Sequence, residues 1–155
     1  MNTGNSRENT VDVRAESLEP PSWLSAVSEY AHRVLDRLEI AGWEVSILLC
    51  NTAFIQQLNR DYRGVDDPTD VLSFLSTDDD PDTQYRYAGD IVIAPEVVEE
   101  QARDLDVPFE EELRRVIVHG LLHLAGYEHT SNDFQLEPML LLQEQIVEEV
   151  KEKLF

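Results

Sequence analysis

Three of the four histidines in this 155-residue chain fall in one short stretch, His119-Gly-Leu-Leu-His123-Leu-Ala-Gly126-Tyr-Glu-His129. No other stretch restricts the local structure so tightly. Positions i and i+4 of an α-helix lie one turn apart on the same face, so His119 and His123 can aim at one point if the segment is helical. Gly126 supplies a residue tolerant of positive φ where that helix must stop. The chain can then turn back and bring His129 toward the same point. Three neutral imidazoles around one ion, with a fourth position left for water, is the layout of a catalytic zinc site. A lone histidine beside a buried helix is ordinarily structural. Three at this spacing, with a glycine between the second and third, read as a metal site.

The preceding residues support the helix. From Phe109 to Ala125 the apolar residues Leu113, Val116, Ile117, Leu121 and Leu124 recur at helical spacing. Pro108 suits a first turn, and Glu110, Glu111 and Glu112 complement the positive end of the helix dipole. On a helical wheel the histidine pair falls roughly 100° from the centre of the apolar stripe. That places it at the edge of a cleft rather than in the middle of a core.

The histidine spacing matches the long zinc-protease motif H-E-x-x-H-x-x-G-x-x-H at every ligand and at the glycine, but Gly120 stands where the protease has its glutamate base. Glycine cannot take a proton from water, so the ligand scaffold is kept without the usual base. The helix motif resembles that of the YbeY family, metal-dependent endoribonucleases of bacterial rRNA maturation. Two further blocks agree, Leu58-Asn-Arg-Asp-Tyr-Arg63-Gly-Val-Asp-Asp-Pro-Thr69-Asp70-Val-Leu-Ser73-Phe74 and Gly89-Asp-Ile-Val-Ile93. The resemblance covers roughly residues 10–154. Glu128 stands where the family commonly has Asp, and Leu75 where it commonly has Pro. The loop Asp78-Asp-Asp-Pro-Asp82 is unusually acidic. None of these departures touches a matched ligand.

One domain is expected at this length, after a flexible tail over residues 1–9. The segments alternate between the two periods. Strands are expected over Thr10–Ala15, Glu44–Cys50, Val71–Ser76 and Tyr87–Ala94. Helices are expected over Trp23–Glu39 (capped by Ser22), Thr52–Tyr62, Pro95 to about Leu105, Phe109–Ala125 and about Glu137–Leu154. On the second helix Phe54, Ile55, Leu58 and Tyr62 should face inward. Such interleaving makes the class α/β or α+β, a single domain. The resemblance implies a small four-stranded mixed sheet packed with about five helices and a zincin-like site beside it. The Trp and most Phe residues read as core.

No apolar run is long enough to span a bilayer, and the polar start of the chain lacks a signal-peptide core. With Cys50 the only cysteine, no intrachain disulfide can form, and a cytoplasmic location is expected. Cys50 reads as a buried strand residue, with a role as fourth metal ligand the rarer option. The net charge of −20, with 32 acidic residues against 12 basic ones, opposes nucleic-acid binding by bulk electrostatics. Three readings stay open: basic residues such as Arg60 and Arg63 cluster locally, the acidic surface belongs to a salt-rich cytoplasm where repulsion is screened, or it is an acidic surface with no special meaning.

The expected ligands of one Zn²⁺ per chain are therefore His119, His123 and His129, with nickel or another late transition metal suited to the same donors. Arg63 matches an arginine that the family treats as essential. A guanidinium can grip a scissile phosphate at two points. Thr69, Asp70 and Ser73 are expected to shape the cleft or to hold a ligand histidine through its second nitrogen, and Asp70 equally to cap or brace its own loop. The resemblance implies cleavage of single-stranded RNA in 3′-end maturation of small-subunit rRNA and in ribosome quality control. It also implies contacts with the ribosome, a small-subunit ribosomal protein and an Era-type GTPase, and none with membrane. Two rivals stand beside it: a zinc metalloprotease with the same ligands, opposed by Gly120, and a non-catalytic zinc module, which needs a fourth protein ligand such as Cys50 or a carboxylate.

Overall fold

The structure, a computed structural model, describes residues 8–76, 86–127, 138–151 and 154. The chain runs β1 (Thr10–Glu16), α1 (Leu24–Arg37), β2 (Trp43–Cys50), α2 (Thr52–Arg63), β3 (Val71–Leu75), β4 (Arg86–Ile93), α3 (Pro95–Leu105), α4 (Phe109–Leu124) and α5 (Pro138–Glu149). The strands form one mixed sheet in the order β1-β2-β4-β3. β1, β2 and β4 are parallel, and β3 pairs antiparallel with β4 along the edge. The expected α/β architecture of four strands and five helices is what these residues build.

Strand alternation divides the apolar residues between the two faces of the sheet. Val45, Ile47 and Leu49 of β2 and Ile91 and Ile93 of β4 join the main core with side chains of α1, α4 and α5. Cys50, Leu72, Val92 and Ala94 point to the other face, where Ile55 of α2 completes a smaller cluster. On β3 this alternation sends Val71 and Ser73 toward α4, and Leu72 and Phe74 toward the smaller cluster.

α4 is the central helix, and most of its side chains are buried. It lies close to the sheet because residue 120 has no side chain. A Cβ there would stand 2.8 Å from Cγ2 and 3.0 Å from Cδ1 of Ile91. Position 120 therefore faces β4, and the glycine that removes the protease base also lets the helix seat. The helix stops where expected, with Gly126 at φ +99°.

Four expectations need correction. Asn9 is not part of a loose tail: its side chain donates to the Ile40 carbonyl at 2.8 Å and accepts from the Trp43 N–H at 3.0 Å. Residues 1–7 lie outside the described residues. Trp23, not Ser22, occupies the cap position of α1, with no side-chain capping bond. Tyr62 does not face inward: it is 69% exposed and meets Phe74 edge-on at 5.3 Å. Helical spacing placed it on the apolar stripe, but at the last turn of α2 its ring meets the sheet at Phe74 of the edge strand β3 and stays largely open to solvent. α5 ends at Glu149, short of Leu154.

Candidate functional site

β3, the loop before it and α4 enclose a cleft of about 380 Å³ lined by Arg63, Thr69, Asp70, Ser73, His119 and His123, among others. The sequence expectation brought these residues together from two separate blocks, and the fold does the same. α2 ends at Arg63 with Gly64 as its cap, so the arginine stands at the mouth of the cleft, exposed to solvent. Among the described residues the Arg63 side chain makes no hydrogen bond or ion pair. Arg60, one turn earlier, is instead held by Gln57 and lies within ion-pair distance of Asp61 and Asp66.

The two histidines sit half-buried on a helix whose neighbouring side chains are buried. Their rings lie 4.6 Å apart, and the two Nε2 atoms approach to 3.1 Å. Two ligand atoms at 2.0–2.1 Å from a tetrahedral zinc would stand about 3.3 Å apart, so this pair fits one shared ion. Among the described residues no group of three His, Cys, Asp or Glu side chains forms a metal cluster. The third expected ligand, His129, and its neighbour Glu128 lie outside the described residues, as does the acidic loop Asp78–Asp82. Cys50 is not in the cleft. It is buried in the smaller cluster across the sheet, where burial pushes its thiol up to about 12.

Asp70 lines the cleft but does not reach a histidine in any bond found among the described residues. One carboxylate oxygen accepts from the Val71 N–H at 2.8 Å and the Thr69 hydroxyl at 3.3 Å, and the other accepts from Gln101 at 3.0 Å. It braces its loop, one of the duties expected of it. On its Nδ1 side His119 meets Gln143 of α5, whose Oε1 lies 2.7 Å away. Gln143 is only 4% exposed. Sequence reasoning missed it, because a glutamine on the apolar side of a helix, twenty-four residues from its partner, carries no spacing signal.

Behind His119 lies a polar cluster. The guanidinium of Arg115 grips Glu144 at two points, 2.7 and 3.0 Å, and bonds Glu112 at 2.7 Å and Glu111 at 3.1 Å. The bonds to Glu144 do most to keep Arg115 charged, against the opposing effect of burial. Glu112 is buried, and its second oxygen accepts from Gln101 at 2.5 Å.

The same chain regions carry the likeness to known proteins. The family model described as Endoribonuclease YbeY matches residues 8–151. An Endoribonuclease YbeY of Treponema pallidum (strain Nichols) is 45% identical over 145 residues, 92% of this chain and 90% of that protein. One from Borreliella burgdorferi (strain ZS7) is 43% identical over 135 residues, 83% of this chain and 87% of that protein. Among solved structures, the solution structure of TM1509 from Thermotoga maritima superposes with a TM-score of 0.64 at 35% identity, covering 91% of this chain and 89% of that one. With the family model spanning nearly the whole chain and relatives this similar, the chain belongs to the YbeY endoribonuclease family.

Proposed function

We propose that this chain is a metal-dependent endoribonuclease specific for single-stranded RNA, acting in 3′-end maturation of small-subunit rRNA and in ribosome quality control. The observation that carries this reading is the convergence of His119 and His123 Nε2 at 3.1 Å in a cleft whose mouth holds Arg63. One zinc ion per chain, held by His119, His123 and His129, would supply Lewis-acid chemistry and lower the pKa of water. The protein's own residues do the rest. Arg63 offers paired N–H donors to the phosphoryl oxygens and offsets charge that builds up as the phosphodiester is attacked. Its exposed position suits a partner that arrives from solvent. Asp70 holds the loop between α2 and β3, and with it the floor of the cleft beside Ser73. The cytoplasm is the proposed location, and the ribosome, a small-subunit ribosomal protein and an Era-type GTPase are the proposed partners.

The protease alternative draws nothing from the cleft. Position 120 faces Ile91 of the sheet, and the residue there has no proton-accepting group. The structural-zinc alternative loses Cys50 as a ligand, because that thiol lies on the other face of the sheet. The test is cleavage of single-stranded RNA and of ribosomal particles, with and without a chelator, beside casein as a control. Chelator-sensitive RNA cleavage with casein intact is expected. Robust chelator-sensitive casein hydrolysis with no RNA cleavage would overturn the proposal.

A further inference from the structure

Gln143 lies outside the cleft, yet its contacts decide which nitrogen of His119 carries the proton. Its amide nitrogen is 3.1 Å from Oε2 of Glu144. A carboxylate only accepts, so the amide must present its N–H₂ to Glu144 and its oxygen to His119. An amide oxygen also only accepts. The nitrogen 2.7 Å from it, His119 Nδ1, must therefore be the protonated one. A neutral imidazole holds one ring proton, which leaves the lone pair on Nε2, the atom that faces His123 Nε2 at 3.1 Å.

Glu144 is itself fixed. Arg115 holds both of its oxygens and, with its remaining donors, reaches Glu112 and Glu111. Glu112 accepts from Gln101, which also bonds Asp70 at the cleft wall. Gln101, Glu112, Arg115 and Gln143 line a second cavity of about 190 Å³ that shares His119 and Asp70 with the cleft. The chain of bonds thus ties α3, α4, α5 and the loop before β3 to one ring orientation.

We propose that Gln143 is a positioning residue that locks His119 as the Nδ1–H tautomer and so aims its Nε2 lone pair into the cleft, with Glu144 and Arg115 fixing the amide that does this. The inference rests on the metal reading of the cleft for its purpose, but the tautomer stands apart from it. A glutamine does this work with a neutral oxygen, adding no charge beside Glu144. Hydrogen-bond partners of this kind are generally worth 10–100-fold in metal affinity.

The test uses the full chain and three variants, Q143L, Q143E and E144Q. Two readouts are taken: the His119 tautomer in metal-free protein, from ¹⁵N shifts at a pH where the ring is neutral, and zinc affinity by competition with a chelating dye. Thermal melting checks that each variant folds. Wild type should show the Nδ1–H form. Q143L should lose that preference and weaken zinc binding by roughly 10–100-fold. Q143E, which keeps an acceptor oxygen in place, should retain the tautomer and stay closer to wild type in affinity. E144Q should fall between. If Q143L fails to fold, the Q143E and E144Q arms carry the test. An Nε2–H tautomer in wild type would overturn the proposal, as would a folded Q143L with unchanged tautomer and affinity. Wild-type protein that binds no zinc yet shows the Nδ1–H form, lost in Q143L, would sink the metal reading and leave the Gln143 assignment standing.

Discussion

Replacing Gly120 with alanine should destabilise the fold, although alanine is the better helix former. A Cβ at position 120 would stand 2.8 and 3.0 Å from two side-chain carbons of Ile91, well inside the ~3.5–4.0 Å separation of carbons in contact. Ile91 is fully buried on β4, between β2 and β3, and has nowhere to retreat. Overpacking of this kind costs ~1–3 kcal/mol. Exchanging a mid-helix glycine for alanine gains back about 1 kcal/mol. With two contacts this short the upper half of the overpacking range applies, so the net loss should be about 1–2 kcal/mol. Ile91→Ala alone should cost ~2–5 kcal/mol by leaving a cavity. In the double variant the new methyl enters that cavity and the clash disappears, so the two costs should fall short of additive by at least about 1 kcal/mol. Urea denaturation of the four proteins measures all of this. A Gly120→Ala variant as stable as wild type, or a strictly additive double variant, would refute the packing argument. The same geometry says that Gly120→Glu would drive a carboxylate against the sheet rather than restore a protease base.

Two further perturbations probe other parts of the account. Arg63→Ala should shift unfolding by less than about 0.5 kcal/mol, as for an exposed residue without structural partners, while slowing RNA cleavage by roughly 10²-fold or more; a clear loss of stability with normal cleavage would make Arg63 a turn residue instead. Cys50 should cause alkaline lability, because burial raises its thiol from 9.0 to about 12. Its contribution is intact below pH 9.0 and is lost as pH rises toward 12, where the unfolded chain ionises and the folded one does not. Urea melts from pH 8 to 11 should therefore show a steeper loss for wild type than for Cys50→Ala.

The elements were legible because each carries a strong period. Val45, Ile47 and Leu49 alternate, the apolar positions of α4 repeat every three to four residues, and Gly126 marks the stop. The two halves of the cleft were legible because His119 and His123 share a helix face and Arg63, Thr69, Asp70 and Ser73 share one sequence block. What escaped depends on tertiary contact. Tyr62 sits on the apolar side of its helix, yet at the last turn its ring meets Phe74 of the edge strand and stays largely exposed. Asn9 looks like part of a polar tail until Ile40 and Trp43 offer it backbone partners. Gln143, Glu144 and Arg115 look like ordinary polar residues of amphipathic helices. Only the packing of α5 against α4 brings them behind His119.

The central claim is that His119 and His123, with His129, hold one catalytic metal ion. It is tested most directly by elemental analysis of purified wild type and His123→Ala, with RNA cleavage measured on the same samples. The account predicts about one zinc or equivalent late transition metal per wild-type chain, little or none in His123→Ala, and loss of cleavage in step with loss of metal. Full metal occupancy in His123→Ala, or cleavage that continues undiminished in protein stripped of metal, would contradict it.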